Sequence, residues 1–478
     1  MDFFGREDVM ASLNALWNKR VSSLVTCRGR RRIGKSTLIE RFAEKSHARL
    51  IKIEGVKPSE SKTNLDELSA FARQLSDQCG TERTPPEDWS QAFMRLDSQL
   101  TKGGRTIVLL DEVSWLGYYD DSFADYLKIA WDNRFKKHDK LVFVVCGSVS
   151  TWIRDCIVDN SAFMGRRSLD IVMRELPLKE CVKFWGKAAT RVDPKEIFDV
   201  LSVTGGVPRY LEEIDPLASA ADNIRRLAFA PDGVLRLDFD DMFMDVITKR
   251  PEFTEKVMRT LVPGPRSAAE IAEKMGIEKS GNITLALKQL CESGFVSADV
   301  GRNPETGGNM KEVKYRLSDN YSRFYLKFIE PVKDVIDHGS YAFVSMEQYV
   351  DWEGVMGLAF ENLIVNNYRE LLPHLKLDRS LIESAAPYRR AGTKSGRSGV
   401  QVDLLIQTRL SACLVEIKRR RHLGREVIQE MVDRCGKFVR RDGMSLKTAL
   451  VYEGDLAMSV EADGYFDAVV PARILLGL

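Results

Sequence analysis

A multidomain α/β chain, opening on a parallel sheet and closing on a second α/β unit, follows from three observations. These are its 478 residues, apolar strand-like runs alternating with helical patterns in the N-terminal third, and a fresh helix-then-strands pattern after residue 341. At roughly 100–200 residues per domain, the length implies about three to four domains. A hydrophobic share of 44% and a charged share of 29% exclude disordered, collagen-like and coiled-coil classes. The longest apolar runs, near residues 106–110 and 141–146, fall far short of the ~20 residues that cross a bilayer. The first residues carry no secretory-signal pattern. The 8 cysteines form no C-x-x-C pair, which favours buried reduced thiols over disulfides or zinc. A cytoplasmic protein is expected.

Residues 21–27 read as an apolar strand that runs into Gly29-Arg-Arg-Arg-Ile-Gly34-Lys35-Ser36-Thr37, followed by a helical stretch. This is the G-x-x-x-x-G-K-[ST] pattern in the strand–loop–helix setting its chemistry requires. The glycines let backbone N–H groups turn inward around phosphates, and the helix N-terminus adds positive potential. Lys35 is expected to reach the β- and γ-phosphates of ATP, with Ser36 supplying an oxygen to Mg²⁺ and Thr37 completing the motif. A second strand, 106–110, ends in Asp111-Glu112. Asp111 there is expected to hold Mg²⁺ through water, and Glu112 to polarise the attacking water. A third strand, 141–146, leads to Ser148, placed either to sense the γ-phosphate or as an ordinary loop serine.

Further segments carry a resemblance: Phe4-Gly5-Arg6-Glu7, Met164-Gly165-Arg166-Arg167 and Gly205-Gly206-Val207-Pro208-Arg209-Tyr210. With the motifs above, they resemble the archaeal-ATPase branch of the STAND-type, AAA-like P-loop ATPases. The resemblance implies ATP binding and slow hydrolysis coupled to homo-oligomerisation. It also implies an arginine, Arg166 or its neighbour Arg167, reaching a neighbouring subunit's γ-phosphate, with Arg209 of comparable status. The expected domains are a P-loop ATPase core over residues 1–175 and a helical lid over 176–246.

Residues 247–335 read as a winged helix-turn-helix: a helix over 268–275, a turn, a helix over 282–294, then a hairpin of 295–300 and 311–317. The recognition helix presents Asn282, Thr284 and Lys288 outward and is poor in arginine, so phosphate affinity comes mostly from elsewhere. A spacer between protein partners is the alternative.

In the remaining residues, 341–478, a helix over 354–371 carries Glu361, and two strands, 400–407 and 413–418, carry Asp403 and then Glu416 with Lys418. A hairpin turning at Arg409-Leu410 sets Asp403 opposite Glu416, and the two-residue period adds Lys418 to the same face. Charges converging from apolar strands are expensive to bury unless paired or bound to a cation. Two carboxylates suit Mg²⁺, and a neighbouring ammonium orients an attacking hydroxide. This constellation resembles the PD-(D/E)XK nuclease fold in the form fused to archaeal-type ATPases. The resemblance places Asp403, Glu416 and Lys418 on core motif positions and Glu361 on the helical acidic position. Gln401 stands where related chains often carry an acid, which favours one metal ion over two. Gln429 or Glu430 on the following helix either contributes to the site or lies on a solvated helix face, the expected placement.

Residues 386–441 hold 14 Lys and Arg against 5 Asp and Glu, in a chain whose net charge is +2. Arg389, Arg390, Lys394, Arg397, Arg419, Arg420, Arg421 and Arg425 flank the proposed acidic site, a pattern suited to phosphates of DNA, double-stranded or branched. The expectation is an ATP-regulated, Mg²⁺-dependent deoxyribonuclease. The alternatives are an ATP-switched DNA-binding regulator with a non-cleaving nuclease-like domain, and a signalling ATPase whose C-terminal half binds protein.

Overall fold

Strands rich in Val, Ile and Leu with no polar alternation are stable only when both sheet faces are covered. The computed structural model describes residues 3–19, 21–100, 104–148, 150–246, 250–278, 280–339, 352–392 and 398–478. The chain divides into two compact units: Met1–Glu175 with Met242–Lys249 and Glu292–Gly294, and Leu176–Asp241 with Arg250–Cys291 and Phe295–Leu478.

In the first unit, helix α1 (Glu7–Trp17) precedes β1 (Ser23–Arg28), α2 (Lys35–Lys45), β2 (Arg49–Glu54), α3 (Asn64–Cys79) and α4 (Trp89–Ser98). Then come β3 (Thr106–Asp111), α5 (Phe123–Asn133), β4 (Leu141–Gly147) and β5 (Arg167–Val172). The five strands run parallel in the order β2-β3-β4-β1-β5. Alternate residues feed two cores. Leu24, Val108, Leu110, Phe143 and Val145 pack with Trp89, Phe93 and Phe123, while Val25, Ile107, Leu109, Val142 and Val144 pack with Trp17 and Phe42.

The central strands follow the sequence expectation. The edge strands β2 and β5 do not appear in it, because Arg49, Lys52 and Glu54, and Arg167 and Asp170, break their apolar runs. An edge strand tolerates such residues, having only one paired neighbour.

On α3, the buried Glu67 accepts the backbone N–H of Val56 at 3.1 Å just beyond β2. Burial pushes its carboxyl up from 4.5 to about 7, against the opposing Val56 N–H and Lys62 charge. The folded chain therefore binds this proton more tightly than the unfolded one. The resulting stabilisation is complete below pH about 4.5 and is lost as the pH rises through about 7. Glu67→Gln keeps an acceptor for Val56 without the charge. It should raise the melting temperature by a few degrees at pH 8 and change it little at pH 5, as calorimetry at the two pH values would read.

The second unit begins with helices, among them α6 (Pro194–Thr204) and α7 (Pro208–Leu211). Residues 176–241, expected as a lid, thus cluster with the C-terminal half, and the stretch up to 246 falls in the first unit. Next come α8 (Pro251–Thr260), β6 (Arg266–Ser267), α9 (Ala268–Met275), α10 (Gly281–Glu292), β7 (Val296–Asp299) and β8 (Lys314–Leu317), the strands forming an antiparallel sheet in the order β6-β8-β7. Ser267 and Glu270 form a capping box that starts α9.

The expected start of the last domain, at 341, lies outside the described residues. Its first described helix is α11 (Trp352–Asn366), followed by β9 (Ile382–Arg390), β10 (Val400–Thr408), β11 (Ser411–Leu423), α12 (Glu426–Lys437), β12 (Ser445–Leu456) and β13 (Ala468–Pro471). The sheet order is β13-β12-β11-β10-β9, antiparallel from β9 to β11 and parallel from β11 to β13. Val402, Leu414 and Leu450 pack from the sheet against Val427 and Met431 of α12.

Candidate functional sites

The loop from β1 to α2 bends through Gly29 and through Gly34, which caps α2 at φ 85°. A Cβ on Gly29 would meet the Met173 carbonyl oxygen at 2.4 Å. Lys35 is buried, and its Nζ donates to the Arg30 carbonyl at 3.0 Å and to Ser148 Oγ at 3.1 Å. Ser36 Oγ donates to Asp111 Oδ2 at 2.5 Å. The hydroxyl and carboxylate expected to serve Mg²⁺ therefore meet, and both are the hard oxygen donors that ion accepts. Thr37 is exposed in the first turn of α2.

Glu112 sits in the left-handed region at φ 45°, just past the end of the Asp111 strand. Its carboxylate accepts from the Ser148 N–H at 3.1 Å and the Ser148 hydroxyl at 2.6 Å. Ser148 thus joins Lys35 to Glu112. Hydrogen bonds to charged groups contribute about 1.5–3 kcal/mol. Ser148→Ala should accordingly slow ATP hydrolysis roughly tenfold while ATP affinity stays within about threefold, read by phosphate release and equilibrium titration.

Sequence reasoning missed Lys52 of β2, whose Nζ lies 3.4 Å from Asp111 Oδ2 and 3.1 Å from Glu40 Oε1. A polar residue on a strand beside the Asp111 strand was the available signal. Arg166 makes a two-pronged contact with Asp132 of α5, at 2.8 and 2.9 Å. The hydrogen bond from Arg166, with Lys128 assisting and burial opposing, holds the Asp132 carboxyl at about 2. Arg167 donates to the Val158 carbonyl at 2.8 Å. In the second unit, Arg209 on α7 pairs with Glu213 at 2.6 Å.

The C-terminal constellation forms around the β10–β11 hairpin, whose turn falls at the expected Arg409-Leu410. Leu404 pairs with Val415 at the end of the ladder nearest Asp403 and Glu416. Beside Asp403, β10 is irregular against β9, between Val402 and Leu405, and Asp403 Oδ2 instead accepts the Ile417 N–H at 3.0 Å. Bulges of this kind re-aim side chains next to functional sites.

Glu416 is fully buried. Its carboxylate pairs with Lys418 Nζ at 2.6 Å and with Arg434 of α12. Lys418 also reaches Glu430 Oε2 at 2.8 Å, and Glu430 pairs with Arg420 at 3.2 Å. Burial raises the Glu430 carboxyl, but the Lys418 hydrogen bond and the charges of Lys418 and Arg420 outweigh it and hold it below its usual range. Glu430 is therefore part of the ionic cluster, where the sequence suggested a solvated face. The four-residue spacing of Glu430 and Arg434 on one helix face was the signal for both. Glu361, on α11, is pushed up to about 7 by burial and then by the Asp403 charge, against Arg316, Arg389 and Arg323.

Among the described residues, no three His, Cys, Asp or Glu side chains are grouped to hold one ion. Of the two carboxylates the sequence offers to Mg²⁺, Asp403 has one oxygen on the Ile417 N–H, and Glu416 is paired with Lys418 and Arg434.

The arginines expected on a DNA-binding face are dispersed. Arg390 pairs with Glu305, Arg419 with Asp199 and Glu453, and Arg425 with Asp463. The charge of Arg389 acts on Glu361 and Asp299. Arg421 is exposed, as is Lys288 with Asn282 and Thr284 on α10. Lys394 and Arg397 lie outside the described residues.

Residues 3–214 match the family described as an ATPase domain predominantly from Archaea. The uncharacterized protein MJECL04 of Methanocaldococcus jannaschii is 24% identical over 365 residues, 76% of either chain. The Walker-type ATPase PABY2304 of Pyrococcus abyssi is 16% identical at a TM-score of 0.49, covering 68% of this chain and 97% of its own. The ORC2 protein of Aeropyrum pernix is 13% identical at 0.39, covering 70% and 93%.

Proposed function

From the archaeal-type ATPase domain of residues 3–214, we infer an ATP-regulated, metal-dependent DNA endonuclease whose cutting site is Asp403, Glu416 and Lys418 with Glu361. The observation that carries the reading is the placement of two buried carboxylates on adjacent strands, Asp403 on β10 and Glu416 on β11, with the Lys418 ammonium 2.6 Å from Glu416 and the Asp403 charge acting on Glu361. The order of α11, three antiparallel strands, α12 and a parallel strand supports a nuclease-like domain. Helices α9 and α10 with the β7–β8 hairpin support a winged helix, with Asn282, Thr284 and Lys288 toward DNA.

In the ATPase domain, Lys35 binds the β- and γ-phosphates and Ser36 and Asp111 hold Mg²⁺. Glu112 accepts the proton of the attacking water once Ser148 releases it. Arg166 reaches a neighbouring subunit's nucleotide after parting from Asp132. At the C-terminal site, Asp403 and Glu416 hold one divalent ion, which when bound polarises the scissile phosphate. Lys418, steadied by Glu430, orients the attacking water, and Glu361 keeps the Asp403 side in place. Arg389, Arg420 and Arg421 meet DNA phosphates, joined by Arg397, and by Arg390 and Arg425 where their internal pairs open, while Arg419 stays with Asp199 and Glu453.

One observation favours the second reading, an ATP-switched DNA-binding regulator. Lys418 and Arg434 already neutralise Glu416, as a purely structural ion cluster would.

The deciding experiment incubates the full chain with linear, single-stranded and four-way-branched DNA, in Mg²⁺ or Mn²⁺, with and without ATP. Metal-dependent cutting is the expected result, and the ATP lanes give the sign of control. DNA that is bound in every lane and cut in none establishes the regulator.

A further inference from the structure

Two consecutive residues of α6, Phe198 and Asp199, touch the immediate neighbours of the two most widely separated members of the C-terminal site. The Phe198 ring meets that of Phe360 edge-on, with centroids 5.2 Å apart, and both side chains are buried. Phe360 directly precedes Glu361 on α11. The Asp199 carboxylate accepts from the guanidinium of Arg419, which directly follows Lys418 on β11. Arg419 is 11% exposed and Asp199 17%, and Glu453 of β12 completes the cluster with its Oε2 3.6 Å from Arg419 Nε.

On a helix, consecutive side chains point about 100° apart, so one helix meets two elements at once. An apolar contact fixes its distance from α11, and an ion pair fixes its register along β11. Neither contact involves a group placed in the chemistry. The sequence gives α6 no reason to serve this site, since residues 3–214, which include it, match an ATPase domain.

We propose that Phe198 and Asp199 are positioning residues of the C-terminal site: α6 holds α11 and β11 at the spacing that lets Glu361, Asp403, Glu416 and Lys418 act together. ATPase-domain sequence thereby supplies part of the frame of the second site. The proposal deepens the nuclease reading and rests on it. Displacements of about 1 Å at such a site cost on the order of 100-fold in rate, and loss of a residue supporting a metal ligand costs roughly 10–100-fold in affinity.

The test uses the full chain in a Lys35→Ala background without nucleotide, with Mn²⁺ as the probe, counted by electron paramagnetic resonance. Asp403→Ala is the reference, and DNA cleavage rates are measured in parallel. Asp199→Asn should weaken Asp403-dependent Mn²⁺ binding about tenfold and lower kcat with the KM for DNA unchanged. Asp199→Glu, which keeps the charge, should restore both. Phe198→Leu, which keeps most of the apolar contact, should fold and lower kcat several-fold, and it carries the test if Asp199→Asn does not fold. Wild-type Mn²⁺ affinity and kcat in Asp199→Asn and Phe198→Leu overturn the proposal and leave the nuclease reading standing. Losses that Asp199→Glu fails to restore overturn it as well. Mn²⁺ binding indifferent to Asp403→Ala overturns both.

Discussion

Lys35→Ala should reduce ATP hydrolysis by at least ~100-fold, the scale of losing one preorganised donor to a developing negative charge, and weaken ATP binding roughly 10–100-fold. The side chain is buried, and its ammonium is fixed by the Arg30 carbonyl at 3.0 Å and the Ser148 hydroxyl at 3.1 Å. Its charge is therefore aimed before any phosphate arrives. Both partners are neutral oxygens, so the charge stays uncompensated within the loop and is available to an anion. The substitution strands no buried carboxylate, and Ser148 keeps its bond to Glu112, so the fold should survive. Titration with a fluorescent ATP analogue and a phosphate-release assay check the two effects. Hydrolysis above a tenth of the wild-type rate would remove Lys35 from the role given to it.

The effect of Ser148→Ala differs in kind. Lys35 keeps one partner in that variant, whereas Glu112 keeps only the Ser148 N–H and loses the hydroxyl that ties its position to Lys35. Affinity and rate should thus separate in Ser148→Ala and fall together in Lys35→Ala.

What the sequence made legible followed local rules. Strands β3 and β4 are continuous apolar runs buried over their whole length, and the phosphate loop is a contiguous motif. The register of β10 with β11, Leu404 against Val415, follows from a short hairpin whose turn residues fix the pairing. What it hid was non-local. Lys52 approaches Asp111 from a neighbouring parallel strand, and Asp132 captures Arg166 from a helix 34 positions earlier. Asp199 and Arg419 are 220 residues apart, and no periodicity records such a contact. The same reason defeats a count of arginines as a map of a DNA surface. Charge content is visible in the sequence, but the intramolecular partners that neutralise Arg390, Arg419 and Arg425 are not.

Asp403→Asn should lower metal-dependent DNA cleavage by ~1,000-fold or more, the several kcal/mol a polarising ion supplies, and leave ATP hydrolysis within about twofold of wild type. Asparagine keeps an oxygen to accept the Ile417 N–H now held at 3.0 Å, so the irregular stretch of β10 keeps its shape while the charge is lost. Glu416 is a poorer target. It is fully buried between Lys418 and Arg434, and removing one partner of a buried ion cluster costs about 3–5 kcal/mol. A Glu416→Ala protein that no longer cuts would therefore report either lost chemistry or lost folding. Asp403→Asn separates the two, because its melting temperature should stay close to wild type while Asp403-dependent Mn²⁺ binding disappears. Undiminished cutting in Asp403→Asn would place any nuclease activity elsewhere in the chain. An uncut substrate in both proteins, with DNA still bound, would leave Asp403, Glu416, Lys418 and Arg434 as an ion cluster that holds β10, β11 and α12 together.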